Sequence, residues 1–100
     1  MSKEFIEELR GRAKKVVYEH QEEYTLVVAE LDNERVVICF SEGDTGHYYA
    51  KVVPERSLSF ISCNEIEYLP TGLYAFSRDP LELAQKCYLK SLRLSKRVLR

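Results

Sequence analysis

The sequence predicts an α+β fold, a single domain over residues 1–100 with an antiparallel β-meander of four to six strands and an N-terminal and a C-terminal helix. Three observations predict it. Apolar residues at the two ends recur at three- and four-residue steps, as on one face of a helix. Those of the middle fall in short β-branched runs separated by polar turns. A chain of 100 residues with 45% apolar and 31% charged side chains supports one core and no second domain.

Residues 2–20 read as the first helix. Ser2 can cap it, and Ile6, Leu9, Ala13, Val16, Val17 and His20 share a face. Glu4, Glu7 and Glu8 sit at the positive end of the helix dipole, and Glu8 reaches Arg12 one turn on. Gly11 costs this helix up to about 1 kcal/mol. Residues 24–31 and 35–40 read as strands apolar on both sides, a pattern of central strands covered on both faces. Asp32-Asn33-Glu34 turns between them. A polar loop over 41–46 leads to a strand over 47–53, stopped by Pro54. Residues 57–63 alternate as a half-buried strand. Short strands are expected over 65–69 and 73–76, around the turn Pro70-Thr71-Gly72.

The last helix has the clearest start. Asp79 is its cap, Pro80 fits the first helical position and Glu82 completes a capping box. Nothing breaks the helix before Arg100. Leu81, Ala84, Tyr88, Leu92 and Leu99 form one apolar stripe, and Leu83, Cys87, Leu94 and Val98 a second beside it. Lys86, Lys90, Arg93, Arg97 and Arg100 form a basic face. Two flanking helices leave one choice open for the doubly apolar strands over 24–40: the second helix covers their other face, or a partner chain does.

Charge is unevenly spread. Residues 21–79 carry four basic and eleven acidic side chains, whereas residues 80–100 carry six basic and one acidic. The basic face is a place for phosphate contacts, or for an anionic membrane surface that the near absence of aromatic residues disfavours, but a solvated face at a helix C-terminus explains it more simply. No apolar run approaches the ~20 residues of a membrane span. Cys39, Cys63 and Cys87 are odd in number and widely spaced, which predicts three reduced, buried thiols and, with no leader pattern at the N-terminus, a cytoplasmic protein.

Motifs with chemistry are few. Asp44-Thr45-Gly46 resembles the catalytic tripeptide of the retroviral-type aspartic proteases, whose two subunits each contribute an aspartate. That resemblance covers three residues. Ser41-Glu42-Gly43 stands where that family has an apolar stretch, and no glycine follows Gly72. A glycine-bracketed hairpin loop accounts for the same residues. His20 and His47 have no cysteine placed near them in sequence, and no paired Cys or His ligands suggest a metal site. No catalytic residue, metal or cofactor is therefore expected. The function expected is a non-enzymatic protein-interaction or regulatory module, homodimeric or bound to another protein, with Tyr48, Tyr74, Leu83, Leu94 and Val98 as contacts. Its alternative is a nucleic-acid-associated regulator using Lys86, Lys90, Arg93, Arg97 and Arg100.

Overall fold

The computed structural model describes residues 3–32, 34–43, 45–58 and 62–98, without the side chains of 57 and 95–98. Its elements are α1 (Lys3–Arg10), β1 (Lys15–Gln21), β2 (Tyr24–Glu30), β3 (Arg35–Glu42), β4 (Tyr48–Pro54), a 3-10 turn (Glu55–Ser57), α2 (Cys63–Ile66), β5 (Leu73–Ser77) and α3 (Pro80–Val98). The five strands form one antiparallel meander in sequence order. The expected α+β fold is what the chain adopts.

The first helix is shorter than its periodicity predicts. Its last turn closes with the N–H groups of Gly11 and Ala13 bonded to the Glu7 and Leu9 carbonyls. The Lys14 N–H then bonds to the Glu30 carbonyl, and the chain has entered the sheet. Gly11 weakens helix propagation, while Val16, Val17 and Tyr18 favour the pleated surface. Within α1, Phe5, Ile6 and Leu9 are buried. The Glu8–Arg12 pair forms at 2.7 Å.

Both helices lie on one face of the sheet. Phe5, Ile6 and Leu9 of α1 and Leu83, Ala84, Cys87 and Leu94 of α3 pack there against Val27, Ala29, Val36, Ile38, Phe40, Ala50, Val52 and Ala75. Phe5 and Phe40 meet at 4.6 Å between ring centroids.

The other face is covered by neither of the two end helices. The connection between β4 and β5 folds over it. Cys63 and Ile66 of α2 join Tyr24, Leu26, Val37, Cys39 and Val53 in a second core, flanked by Leu58 and Leu69. The strands expected over 57–63 and 65–69 are thus replaced by the 3-10 turn and α2; residues 59–61 lie outside the described segments. A connection lying across the sheet needs only periodic anchor points, and Leu58, Cys63, Ile66 and Leu69 supply them.

One disulfide and three hydrogen bonds pin this connection. Cys39 on β3 and Cys63 on α2 form a disulfide, with Cα atoms 5.6 Å apart. The expectation of three reduced thiols is therefore wrong for two of them. An odd count does not forbid one bridge, and only folding brings cysteines 24 residues apart together. The argument for a reducing cytoplasm loses its footing with it. Lys51, buried on the same face, donates from Nζ to the Leu69 carbonyl at 2.5 Å. Tyr24 donates its hydroxyl to the Glu67 carboxylate; burial first, then this carboxylate, pushes the tyrosine pKa well above its usual value. Gln21 Oε1 accepts the Cys63 N–H at 3.0 Å.

Gly72 closes the connection with φ +108°. A Cβ there would lie 2.5 Å from Val53 Cγ1 and 2.9 Å from the Val52 carbonyl oxygen. Gly72→Ala is therefore expected to cost about 1–3 kcal/mol in chemical denaturation, through backbone strain and a clash with β4. Replacing Cys39 and Cys63 together by serine is expected to cost about 3 kcal/mol by the chain-entropy account, and added reductant should lower the wild-type midpoint toward that of the double variant.

Candidate functional site

The expected contact residues are not brought together. Leu83 and Leu94 are buried in the chain's own helix-side core. Tyr48 lies half-buried on the same side, stacked on Phe40 at 5.7 Å. Tyr74 faces the other side of the sheet. The side chains of Val98 and Arg97, and all of Arg100, lie outside the described residues, as does Asp44. A contact surface built on Leu83 and Leu94 is thus withdrawn: both side chains are already spent on folding.

What the structure assembles instead is a groove of about 440 Å³ between β5 and α3. One wall is Tyr74, Ala75 and Phe76; the other is Lys86, Leu89, Lys90 and Arg93, spaced i, i+3, i+4, i+7 along one face of α3. Phe76 and Leu89 are each 59% exposed and Tyr74 46%. Phe76 stacks on Tyr74 at 6.3 Å and tilts against Tyr49 at 6.2 Å. Lys51 Nζ sits 5.1 Å from the Tyr74 ring centroid, a cation–π contact that holds this aromatic strip to the buried lysine.

The backbone of β5 is the more telling part. In an antiparallel ladder, residues pointing their N–H and C=O at one neighbour alternate with residues pointing them at the other. The Gly43 N–H bonds to the His47 carbonyl, which sets the phase along the β3–β4 register: Tyr49, Lys51 and Val53 bond to β3. Tyr48, Ala50 and Val52 therefore bond to β5, through Ser77, Ala75 and Leu73. The main-chain groups of Tyr74 and Phe76 turn away from β4, toward the groove. Lys86 Nζ donates to the Phe76 carbonyl there at 2.8 Å.

The start of α3 holds the second wall. Leu81 N–H bonds to Asp79 Oδ1 at 3.0 Å, so Asp79 caps as expected. Glu82 does not reach back to the cap directly. It accepts the Ser77 hydroxyl at 2.9 Å, and Ser77 Oγ accepts the Asp79 N–H at 3.0 Å. Glu82 also pairs with Lys86 at 3.1 Å. Lys86 first, then Ser77, holds the Glu82 carboxyl below its ordinary value.

Elsewhere, Arg78 Nε donates to His47 Nε2 at 3.0 Å, and His47 Nδ1 lies 3.0 Å from Thr45 Oγ1. Cys87 is the free cysteine, and burial raises its thiol to about 12. Among the described residues, no group of three His, Cys, Asp or Glu side chains is placed to hold a metal ion, and no helix is long and apolar enough to cross a membrane. Sequence reasoning singled out Tyr74, Lys86, Lys90 and Arg93 but missed Phe76 and Leu89. Alternation with Ala75 marks Phe76 as outward-facing, and Leu89 sits within the basic stripe.

Comparison with family models, curated proteins and solved structures finds no match.

Glu82 has a depressed folded-state pKa, so its stabilisation is present above the unfolded value, near 4.5, and is lost as pH falls through the folded value. Glu82→Gln should therefore lower the thermal midpoint at neutral pH, and the gap to wild type should close as the pH drops below 4.5.

Proposed function

We propose that the chain is a non-enzymatic protein-binding module that takes a segment of a partner protein into the groove between β5 and α3. The observation that carries this reading is that Phe76 and Leu89, each 59% exposed, line one concave site on opposite walls. Apolar side chains gathered in an exposed groove rimmed by polar groups are characteristic of binding surfaces. The aromatic strip Tyr74–Phe76 supplies rigid contact area, and Lys90 and Arg93 supply a charged rim.

A homodimer through the C-terminal helix has less support, since Leu83 and Leu94 are buried within one chain. The nucleic-acid reading draws on the placing of Lys86, Lys90 and Arg93 beside exposed aromatic rings, an arrangement that suits stacked bases. It ranks second because Lys86 is already engaged by Glu82 and by the Phe76 carbonyl. Tight phosphate binding usually draws on more cations than remain. We do not extend the proposal to a cytoplasmic location, because the Cys39–Cys63 bond suits an oxidising compartment.

A photo-crosslinking residue in place of Phe76 tests the reading, with one in place of Glu22, exposed in the turn between β1 and β2, as control. The expected result is a protein adduct from position 76 that fades in a Leu89→Ser background and is missing from position 22. A nucleic-acid adduct, or none, overturns it.

A further inference from the structure

We infer that the occupant of the groove is an extended, acidic segment of another protein that pairs with β5 as an added strand and sets its carboxylates on Lys90 and Arg93. The inference rests on the protein-binding reading above and names the chemistry of the partner.

The main chain makes the first part of the case. β5 is the last strand of the sheet, and its Tyr74 and Phe76 N–H and C=O groups face the groove. Two residues spaced by two along an open edge present the donor–acceptor pattern that an antiparallel or parallel strand completes. Lys86 Nζ occupies the Phe76 carbonyl at 2.8 Å, the place where the N–H of an added strand would bond. A lysine over an edge carbonyl also guards a lone chain against unwanted pairing. Here, however, the flanking side chains are exposed and apolar, the reverse of a protected edge.

Charge makes the second part. Among the described residues, the groove is lined by three cations, Lys86, Lys90 and Arg93, and by no carboxylate. Glu82 neutralises Lys86 from outside the lining. An added strand would direct alternate side chains toward α3, where they meet Leu89, Lys90 and Arg93, and the others toward the face bearing Tyr74 and Phe76. The complementary ligand therefore alternates carboxylates with apolar residues. The same charges argue against a second copy: two-fold pairing of β5 with β5 would bring both sets of Lys86, Lys90 and Arg93 together.

The test is a titration of the whole protein, followed by amide NMR, with a blocked peptide of alternating Val and Glu. Its controls are the Val-Lys counterpart, the Val-Glu peptide N-methylated along one edge, and oligothymidylate. The expected result is shifts at Tyr74 and Phe76, with affinity reduced about tenfold or more by N-methylation and by Lys90→Glu with Arg93→Glu. That double variant should in turn prefer the Val-Lys peptide. Tyr74→Pro removes an edge N–H without touching the β4 ladder and should abolish binding, while Tyr74→Thr keeps it; if the proline variant does not fold, the N-methylated peptide carries the same test. No shift, equal binding of the N-methylated peptide, or binding of oligothymidylate instead overturns the inference. A protein adduct from position 76 that survives Tyr74→Pro overturns strand pairing and leaves the binding module standing. Absence of any protein adduct from position 76 when Tyr74 is unchanged overturns the module itself.

Discussion

The alternation of backbone bonding along β4 is the constraint on which the rest depends. Each β4 residue commits its N–H and C=O to one neighbour, and the bond from Gly43 to the His47 carbonyl sets which. The same alternation sorts side chains. Ala50 and Val52 enter the core beneath α1 and α3, while Lys51 and Val53 enter the opposite face, under the connection that leads to β5. Carried one strand further, it buries Ala75 and Ser77 and turns Tyr74 and Phe76 outward, in main chain and side chain alike. A slip of one residue would exchange every one of these roles.

The two faces of the sheet are closed by different means, and the difference explains where the surface remains open. Helices close the first face with long side chains from two amphipathic stripes. The second is closed by a short connection with few anchors, held by the Cys39–Cys63 bond and by Lys51 bonding to the Leu69 carbonyl. That connection covers Tyr24, Leu26, Val37 and Val53 but leaves the outer strand, so Phe76 stays uncovered. α3 packs against β4 and β5 on the other side and leaves Leu89 and its basic neighbours lining the same groove. The groove is thus a consequence of how the two cores are built.

Much of the fold was legible in the sequence because its signals are local. The Asp79-Pro80 start of α3 depends on residues adjacent in the chain, and so do the short turns between β-branched runs. Failures occur where a distant contact decides. Residues 12–20 carry helical periodicity, yet pairing of Val16 and Val17 with Ala29 and Val28 makes them strand. Residues 57–69 alternate enough to suggest strands, but they pack as a cover held by Ile66 and by a disulfide to a residue 24 positions earlier than Cys63. The basic face of α3 was readable from its spacing. Its placement beside Phe76 was not, since that follows from how α3 packs against β5. Leu83 and Leu94 illustrate the converse: their stripe suggests contacts to another chain, whereas α1 and the sheet of the same chain cover it.

Amide hydrogen exchange across β5 in the free protein tests this account most directly. Slow exchange at Ala75 and Ser77 with fast exchange at Tyr74 and Phe76 is the result the ladder predicts. Protection of Tyr74 and Phe76 with rapid exchange at Ala75 would contradict it, because the groove would then present no main chain for a partner to meet.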